Sequence, residues 1–395
     1  MNKCKLGDLF YIKQGYAFKS EKYVSHSNYI LCTLANFSES NNFKFSPEKA
    51  TYYPDEFSHE FILCENDLII PLTEQVVGLF GNTAFVPKTE GFQFVLNQRV
   101  GKIIPYEEKA DKLFLHYLLS TQLVRDQIEA TASGTKQRNT SPDKIYDVTV
   151  WVPNIDQQRI IGRYLYSLEQ KCNVNNKICS ELETMAKTLY DYWFVQFDFP
   201  DENGNPYRIS GGEMVWNEQL KREIPKGWDV TNIGNLTTVV TGKEDANFSS
   251  PNGKYKFFTC SQETLLCDTP AFSGQAVLIA GNGDFNVKHY SGEFNAYQRT
   301  YVLIPENQVY YGAMYISSKN QIQAFKNGSN GSIVKFITKG DVENIPFILP
   351  NDDLIFHQIN KLIEKIELCE RENEELTKLR DWLLPMLMNG QARVE

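Results

Sequence analysis

Between residues 154 and 193 the apolar positions recur at alternating steps of four and three: Ile161, Leu165, Leu168, Cys172, then Asn175, then Cys179, Leu182, Ala186, Leu189 and Trp193. That spacing is the seam of a coiled coil. It returns near the C-terminus as Ile355, Ile359, Leu362, Ile366, Cys369, Asn373, Leu376, Arg380, Leu383 and Leu387, every position displaced by 194. A helix carrying one apolar stripe of this length is not stable alone in water, so the pattern predicts that the two copies pair. Aligned antiparallel at their midpoints, they set Asn175 against Asn373 and Cys179 against Cys369. A buried Asn pair lowers stability but specifies register and direction. The alternative is that each Asn sits on a solvated face. Such a helix spans roughly 50 Å at 1.5 Å per residue, and acts as a spacer between whatever lies at its ends.

Outside the two stripes the period changes to two. Short alternating runs at 61–63, 67–70, 92–96 and 100–104, divided by Gly, Pro and Asn, predict a curved, mostly antiparallel sheet within residues 1–153. One amphipathic helix is expected over 111–130, with Leu113, Phe114, Tyr117, Leu118 and Val124 on its buried face. A polar loop, SGTKQRNTSPDK, then leads into a strand ending at Pro153. The first helical region is expected over 154–197, followed at 198–225 by a linker rich in Gly, Pro, Asn and charge. A second globule over 226–350 and a second helical region over 351–395 complete the chain.

The second globule repeats the first. Leu6-Gly7-Asp8-Leu9 with Gly15 matches Ile233-Gly234-Asn235-Leu236 with Gly242 at an offset of 227. Gln98-Arg99 with Pro105 matches Gln298-Arg299 with Pro305 at 200, and residues 134–153 match 331–350 at 197. The second copy is therefore shorter, mostly between its first strand and its Gln-Arg segment. The expected fold class is α+β: two pseudo-repeated globules of curved, mostly antiparallel sheet with short helices, joined by a long antiparallel two-helix coiled coil with pseudo-two-fold symmetry.

Composition narrows the class. A chain of 395 residues with 25 Phe and 21 Tyr can bury more than one core. No apolar run approaches the ~18 residues a membrane span needs, and no leader pattern opens the chain, so a cytoplasmic protein is expected, without membrane partners. The eight Cys show no C-x-x-C spacing and read as small buried hydrophobes in a reducing compartment. The formal charge of −9 counts against a simple nucleic-acid binder. Its distribution softens that objection, because residues 226–350 carry 10 basic and 10 acidic groups while residues 351–395 carry 6 and 10.

Globules at the two ends of a rod suit a target in two parts, and duplex DNA offers half-sites at multiples of its helical turn. In the first globule the candidate DNA-binding residues are Thr73, Gln98 and Arg99 with Thr135, Lys136, Gln137, Arg138 and Asn139. In the second they are Asn282, Gln298 and Arg299 with Asn330, Ser332 and Lys335. Arg reads guanine and Gln or Asn reads adenine through paired major-groove hydrogen bonds, while Lys, Ser and Thr hold phosphates. The competing account of each Gln-Arg pair is structural, with the Arg tied to a local carboxylate. A reading of another class is a scaffold that binds protein or glycan instead of DNA.

Enzymatic readings find little. Asn205-Pro206-Tyr207 is a poor substitute for the N-P-P-[FYW] motif of an adenine methyltransferase, and no P-loop is present. The E-x-K spacings at Glu107 to Lys109 and Glu169 to Lys171 have no convincing Asp partner. Gly281-Asn282-Gly283 reads as a hairpin turn. Five scattered His support neither a triad nor a metal site, and no cofactor is expected.

The segments LYDYWFVQFDFPDENGNPYR, SGGEMVWNEQLKREIPKGW, FVLNQRVGKI, GSIVKFITKGDVENIP and VPNIDQQRI resemble the specificity subunits of type I restriction-modification systems, in the same order and over essentially the whole chain. The resemblance implies two target recognition domains, each reading one half of a split double-stranded DNA site. It implies two helical regions that form the spacer and dock two methyltransferase subunits, with restriction/translocase subunits added for cleavage. The chain itself would carry no catalytic residue. The distal stretch from Pro350 to Gln358 is three residues longer than its proximal counterpart from Pro153 to Gln158, a departure from the family pattern.

Overall fold

The computed structural model describes residues 1–395 except 39–40, 75–77, 135–136, 328–335 and 395. The chain falls into two compact units: a first of Met1–Asn173 with Glu374–Glu395, and a second of Val174–Asn373. Among the described residues, no helix is long and apolar enough to cross a membrane.

In the first unit a four-stranded antiparallel sheet runs Phe10–Gln14, Val100–Pro105, Leu68–Pro71, Ala84–Phe85. Beside it, Tyr29–Cys32 pairs antiparallel with Tyr52–Tyr53 and parallel with Gln93–Leu96. The strand Leu68–Pro71 shows why these residues form a central strand. Leu68 and Ile70 enter one core, with Phe10 and Phe114, whereas Ile69 enters the other, with Ile30 and Phe94. Alternate side chains point to opposite faces, so a strand buried on both sides is a continuous apolar run.

Helix α1 (Lys112–Ser120) and helix α2 (Gln122–Thr131) occupy the segment expected as a single helix. The break is at Thr121, which is extended at φ −67°, ψ 142°. Ser120 Oγ donates to Tyr117 O and Thr121 Oγ1 to Leu118 O, so side-chain hydroxyls take carbonyls at the end of α1. Residues 59–61 form a turn of 3-10 helix instead of opening a strand, leaving Ile62 with a single bridge to Val95. Helix α3 (Pro142–Tyr146), capped by Ser141, precedes the strand Thr149–Val152, which pairs with Asn2–Lys5.

His116, on α1, is 2% exposed and shares a 2.7 Å hydrogen bond between its Nδ1 and Thr83 Oγ1. Burial lowers its pKa to about 4, with the nearby Arg380 cation adding to the effect. The unfolded chain takes up this proton near pH 6.5, so between about 4 and 6.5 it binds more protons than the folded state. The contribution is therefore present above that window and lost as pH falls through it. Lowering the pH from 7 to 4.5 is expected to take about 2 to 3 kcal/mol from the first unit through this residue alone. Thermal unfolding of the chain and of His116→Gln at both pH values measures it; the variant should lose much less on acidification.

The second unit contains a six-stranded sheet in the order Val240–Thr241, Thr300–Leu303, Phe272–Ala280, Val287–Ala296, Tyr255–Phe258, Leu265–Cys267. All its pairings are antiparallel except Tyr255–Phe258 with Val287–Ala296. Val277 and Ile279 enter the main core, whereas Ala276 and Leu278 enter a smaller one. The turn of Gly281 to Asn286 closes a hairpin, with Ala280 N donating to Asn286 O.

Helix α4 (Ile155–Tyr190) ends in a wider turn over Asp191–Val195. It is followed by α5 (Tyr311–Asn327), α6 (Lys339–Glu343) and α7 (Leu354–Met388). Helices α4 and α7 each contribute residues to both units. All twenty positions of the two apolar stripes are buried or half-buried. In the second unit Asn175 Nδ2 donates to Asn373 Oδ1 at 2.9 Å and to Glu372 Oε2 at 2.7 Å, and Asn373 Nδ2 donates to Asn176 Oδ1 at 2.8 Å. Asn175 is 1% exposed, so a solvated face does not describe it. Cys179 Sγ lies 3.8 Å from Ile366 O, so partner numbers fall along α7 as they rise along α4. Burial pushes the Cys179 thiol up to about 11, with the neighbouring Cys369 adding to the effect. The cysteines are free, but Cys64 is exposed and most of the others are half-buried, so only Cys32 and Cys267 match the expectation of buried hydrophobes.

The segment 198–225 is more ordered than a linker with turns. Met214–Asn217 and Arg222–Pro225 form a hairpin, and Phe199 stacks on Trp228 with ring centroids 4.5 Å apart. Its Gly and Asn residues supply the turns, while its aromatic residues have surface to bury.

Candidate nucleic-acid interface

The Gln-Arg segments are built the same way in each unit. In the first, Val100 N donates to Asn97 O, closing a turn that projects Gln98 and Arg99, both exposed. Gln98 N donates to Tyr16 O, Gly15 N to Val100 O, and Arg99 O accepts from Leu72 N. In the second, Thr300 N donates to Tyr297 O, Gln298 N to Glu244 O, Gly242 N to Thr300 O, and Arg299 O accepts from Gly281 N. Gln298 and Arg299 are again exposed. Each turn is pressed onto a glycine: a Cβ on Gly15 would lie 2.2 Å from Asn97 O, and one on Gly242 only 1.8 Å from Ala296 O.

The correspondence continues beyond the turn. Thr140 N donates to Leu72 O in the first unit, as Ile337 N donates to Gly281 O in the second. Thr73 pairs with Asn139, as Asn282 bridges to Phe336. Ser141 then caps α3 and Thr338 caps α6.

Five of the predicted residues of the first unit meet around one open cavity of about 320 Å³: Thr73, Gln98, Arg99, Gln137 and Asn139. Thr73 Oγ1 and Gln137 Nε2 both donate to Asn139 Oδ1, at 2.9 and 3.1 Å, which orients the amide so that its Nδ2 donors face away from them. Arg99 makes no side-chain hydrogen bond or ion pair among the described residues, so the account that ties it to a local carboxylate has no support. Its guanidinium and the amides of Gln98 and Gln137 form a polar rim able to make paired hydrogen bonds with base edges.

Arg138 is placed differently. Its Nη1 lies 2.9 Å from Glu74 Oε1, its Nη2 donates to Glu129 O at 3.1 Å, and its guanidinium stands over the Phe80 ring. Glu74 is 1% exposed and also accepts from Leu79 N and Phe80 N. A buried carboxylate needs such a partner, so Arg138 is committed to holding the loop in place. Thr135 and Lys136 lie outside the described residues, as do Asn330, Ser332 and Lys335 in the second unit.

Sequence reasoning missed Gln14 and Ser141, which also line the cavity, and the exposed Phe336 beside Asn282. Gln14 immediately precedes Gly15, so the repeat that singled out the glycine could have included it. Among the described residues no group of three or more His, Cys, Asp or Glu converges as a metal site.

The family model for the type I restriction modification DNA specificity domain matches residues 1–184 and 225–378. The chain belongs to this family. The EcoDI type I restriction enzyme specificity subunit of Escherichia coli is 34% identical over 180 residues, a match spanning 44% of this chain and 40% of that relative. The MjaIX specificity subunit of Methanocaldococcus jannaschii is 22% identical over 329 residues, covering 76% of this chain and 73% of its own. The crystal structure of a type I restriction-modification S subunit from M. genitalium superimposes with a TM-score of 0.60 at 16% identity, covering 98% of this chain and 96% of that one. That likeness concerns the fold.

Proposed function

We propose that the chain is the non-catalytic DNA-reading subunit of a cytoplasmic type I restriction-modification complex, each unit reading one half of a bipartite duplex site. The observation that carries this is the exposed Gln-Arg turn made twice by the same backbone hydrogen bonds, with Arg99 and Arg299 lacking side-chain partners among the described residues. Gln98, Arg99, Gln137 and Asn139 present donors and acceptors suited to bases, and Thr73 orients Asn139. Gln298, Arg299 and Asn282 take the corresponding places in the second unit. In this reading the paired stripes of α4 and α7 are the antiparallel coiled-coil spacer, related by pseudo-two-fold symmetry, and the Asn175–Asn373 contact specifies their register.

Docking of two methyltransferase subunits, and of restriction/translocase subunits through them, needs apolar surface that the chain does not cover itself. Val174, Ile178 and Met185 on α4 are 52%, 41% and 55% exposed. Their spacing of four and seven places them on one face of the helix.

Methylome sequencing of the host with and without the gene tests the function. The expected result is loss of methylation at one split sequence; unchanged methylation would reject the proposal. Gel shifts with the recovered site are expected to show weak binding by the acidic chain alone and much tighter binding after a methyltransferase subunit is added. Nanomolar binding by the isolated chain at physiological salt would contradict the assigned division of labour.

A further inference from the structure

Each unit seats a helix of its globule on one of the long helices, and the two seats share a chemistry that the 194-residue offset of the stripes does not explain. In the first unit Gln158 of α4, 1% exposed, accepts from Asp111 N just before α1 and donates to Lys109 O and Pro153 O. Three turns further along α4, Glu169 accepts from Tyr117 Oη at 2.7 Å, with His116 Nε2 at 3.9 Å. In the second unit Asn360 of α7 accepts from Gly312 N, in the first turn of α5, and donates to Gln308 O and Val309 O. Two turns further along α7, Glu367 accepts from Tyr311 Oη at 2.6 Å, with His289 Nδ1 at 3.4 Å.

Apolar packing alone is not directional and tolerates a helix that rotates or slides on its neighbour. Buried hydrogen bonds do not, because a shift would leave a desolvated amide or carboxylate without its partner. Tyr117 and Tyr311 are 3% and 0% exposed, so each bond has little water to replace it. Close approach at each seat depends on a glycine: a Cβ on Gly162 would lie 2.7 Å from Phe114 N, and one on Gly312 2.7 Å from Asn360 Oδ1.

We infer that the amide and tyrosine–carboxylate pairs are positioning residues that moor each globule on its long helix and so hold its reading turn at one angle to it. The inference rests on the DNA-reading function proposed above. If it holds, the pairs govern how strictly the complex demands one spacing between half-sites, while leaving recognition of each half-site intact.

The test uses the full complex with its methyltransferase subunits on duplexes whose half-sites are separated by the native spacer, or by one or two base pairs more or fewer. Tyr117→Phe with Tyr311→Phe is expected to reduce the preference for native spacing at least fivefold, with unchanged protection of each half-site. Glu169→Gln with Glu367→Gln keeps a carbonyl oxygen to accept from each tyrosine and is expected to retain most of the preference. Each single Phe variant provides the same measurement with one seat untouched, should the double variant fail to fold. Full spacing preference in folded Phe variants would overturn the inference, as would equal loss in the Phe and Gln variants. Failure of the wild-type complex to bind any bipartite duplex would instead overturn the DNA-reading function, and the inference with it.

Discussion

Replacing Arg99 or Arg299 by alanine is expected to weaken binding of the bipartite site about ten- to a hundredfold, with the thermal unfolding temperature unchanged. Both residues are exposed, and among the described residues truncation of either removes no side-chain hydrogen bond or ion pair. A paired contact between Arg and guanine contributes about 1 to 3 kcal/mol of discrimination. The loss should also be local in sequence space. The Arg99→Ala complex should become tolerant of base changes in one half-site only, and the Arg299→Ala complex of changes in the other. Binding isotherms on duplexes mutated one base pair at a time measure this. A loss uniform across all sequences, with the salt slope reduced by about one, would instead mark each Arg as a phosphate contact. Arg99→Lys keeps the charge but not the planar fork, so it should retain affinity better than specificity.

Gly242→Ala is expected to have the largest effect on stability, because the new Cβ would lie 1.8 Å from Ala296 O and must push two backbone segments apart. Gly15→Ala is its counterpart, with 2.2 Å to Asn97 O. Overpacking against backbone, where no side chain can rotate away, costs about 3 kcal/mol or more. For units of this size that corresponds to roughly 10 °C in unfolding temperature. The same displacement frees the Gln-Arg turn from the strand that holds it, so half-site binding should fall together with stability. Gly340→Ala is the control: its Cβ would come no nearer than 3.9 Å to any atom, and its unfolding temperature should hold or rise slightly. Equal unfolding temperatures for Gly242→Ala and the wild type would refute this account of the turn.

Much of this organisation was legible before any coordinates. The four-three spacing identified the covered face of both long helices, since a residue's place on a helix follows from its position in the chain alone. The repeat of Gly15 and Gln98-Arg99 as Gly242 and Gln298-Arg299, at offsets of 227 and 200, located the two exposed turns, because each copy keeps both the turn and the glycine it is pressed onto. The break between α1 and α2 was not legible. The apolar pattern runs on through Ser120 and Thr121, whereas in the structure Thr121 is extended and both hydroxyls donate to carbonyls of the last turn of α1. The hairpin within 198–225 was missed because the Gly, Pro and Asn residues of the surrounding segment read as a linker, and the stacking of Phe199 on Trp228 that gives the segment a packed side is a long-range event.

The sequence by itself determined the stripes, the duplication and the candidate arginines, all of them properties of spacing along one chain. Tertiary structure alone decided which arginine is held by an ion pair. Arg99 and Arg138 each follow a Gln and look alike in the sequence, but only Arg138 folds against a buried carboxylate, Glu74. It likewise decided that Tyr117 meets Glu169 and Tyr311 meets Glu367. A charge's partner is set by which distant segments the core brings within about 3 Å, and periodicity carries no information about that distance.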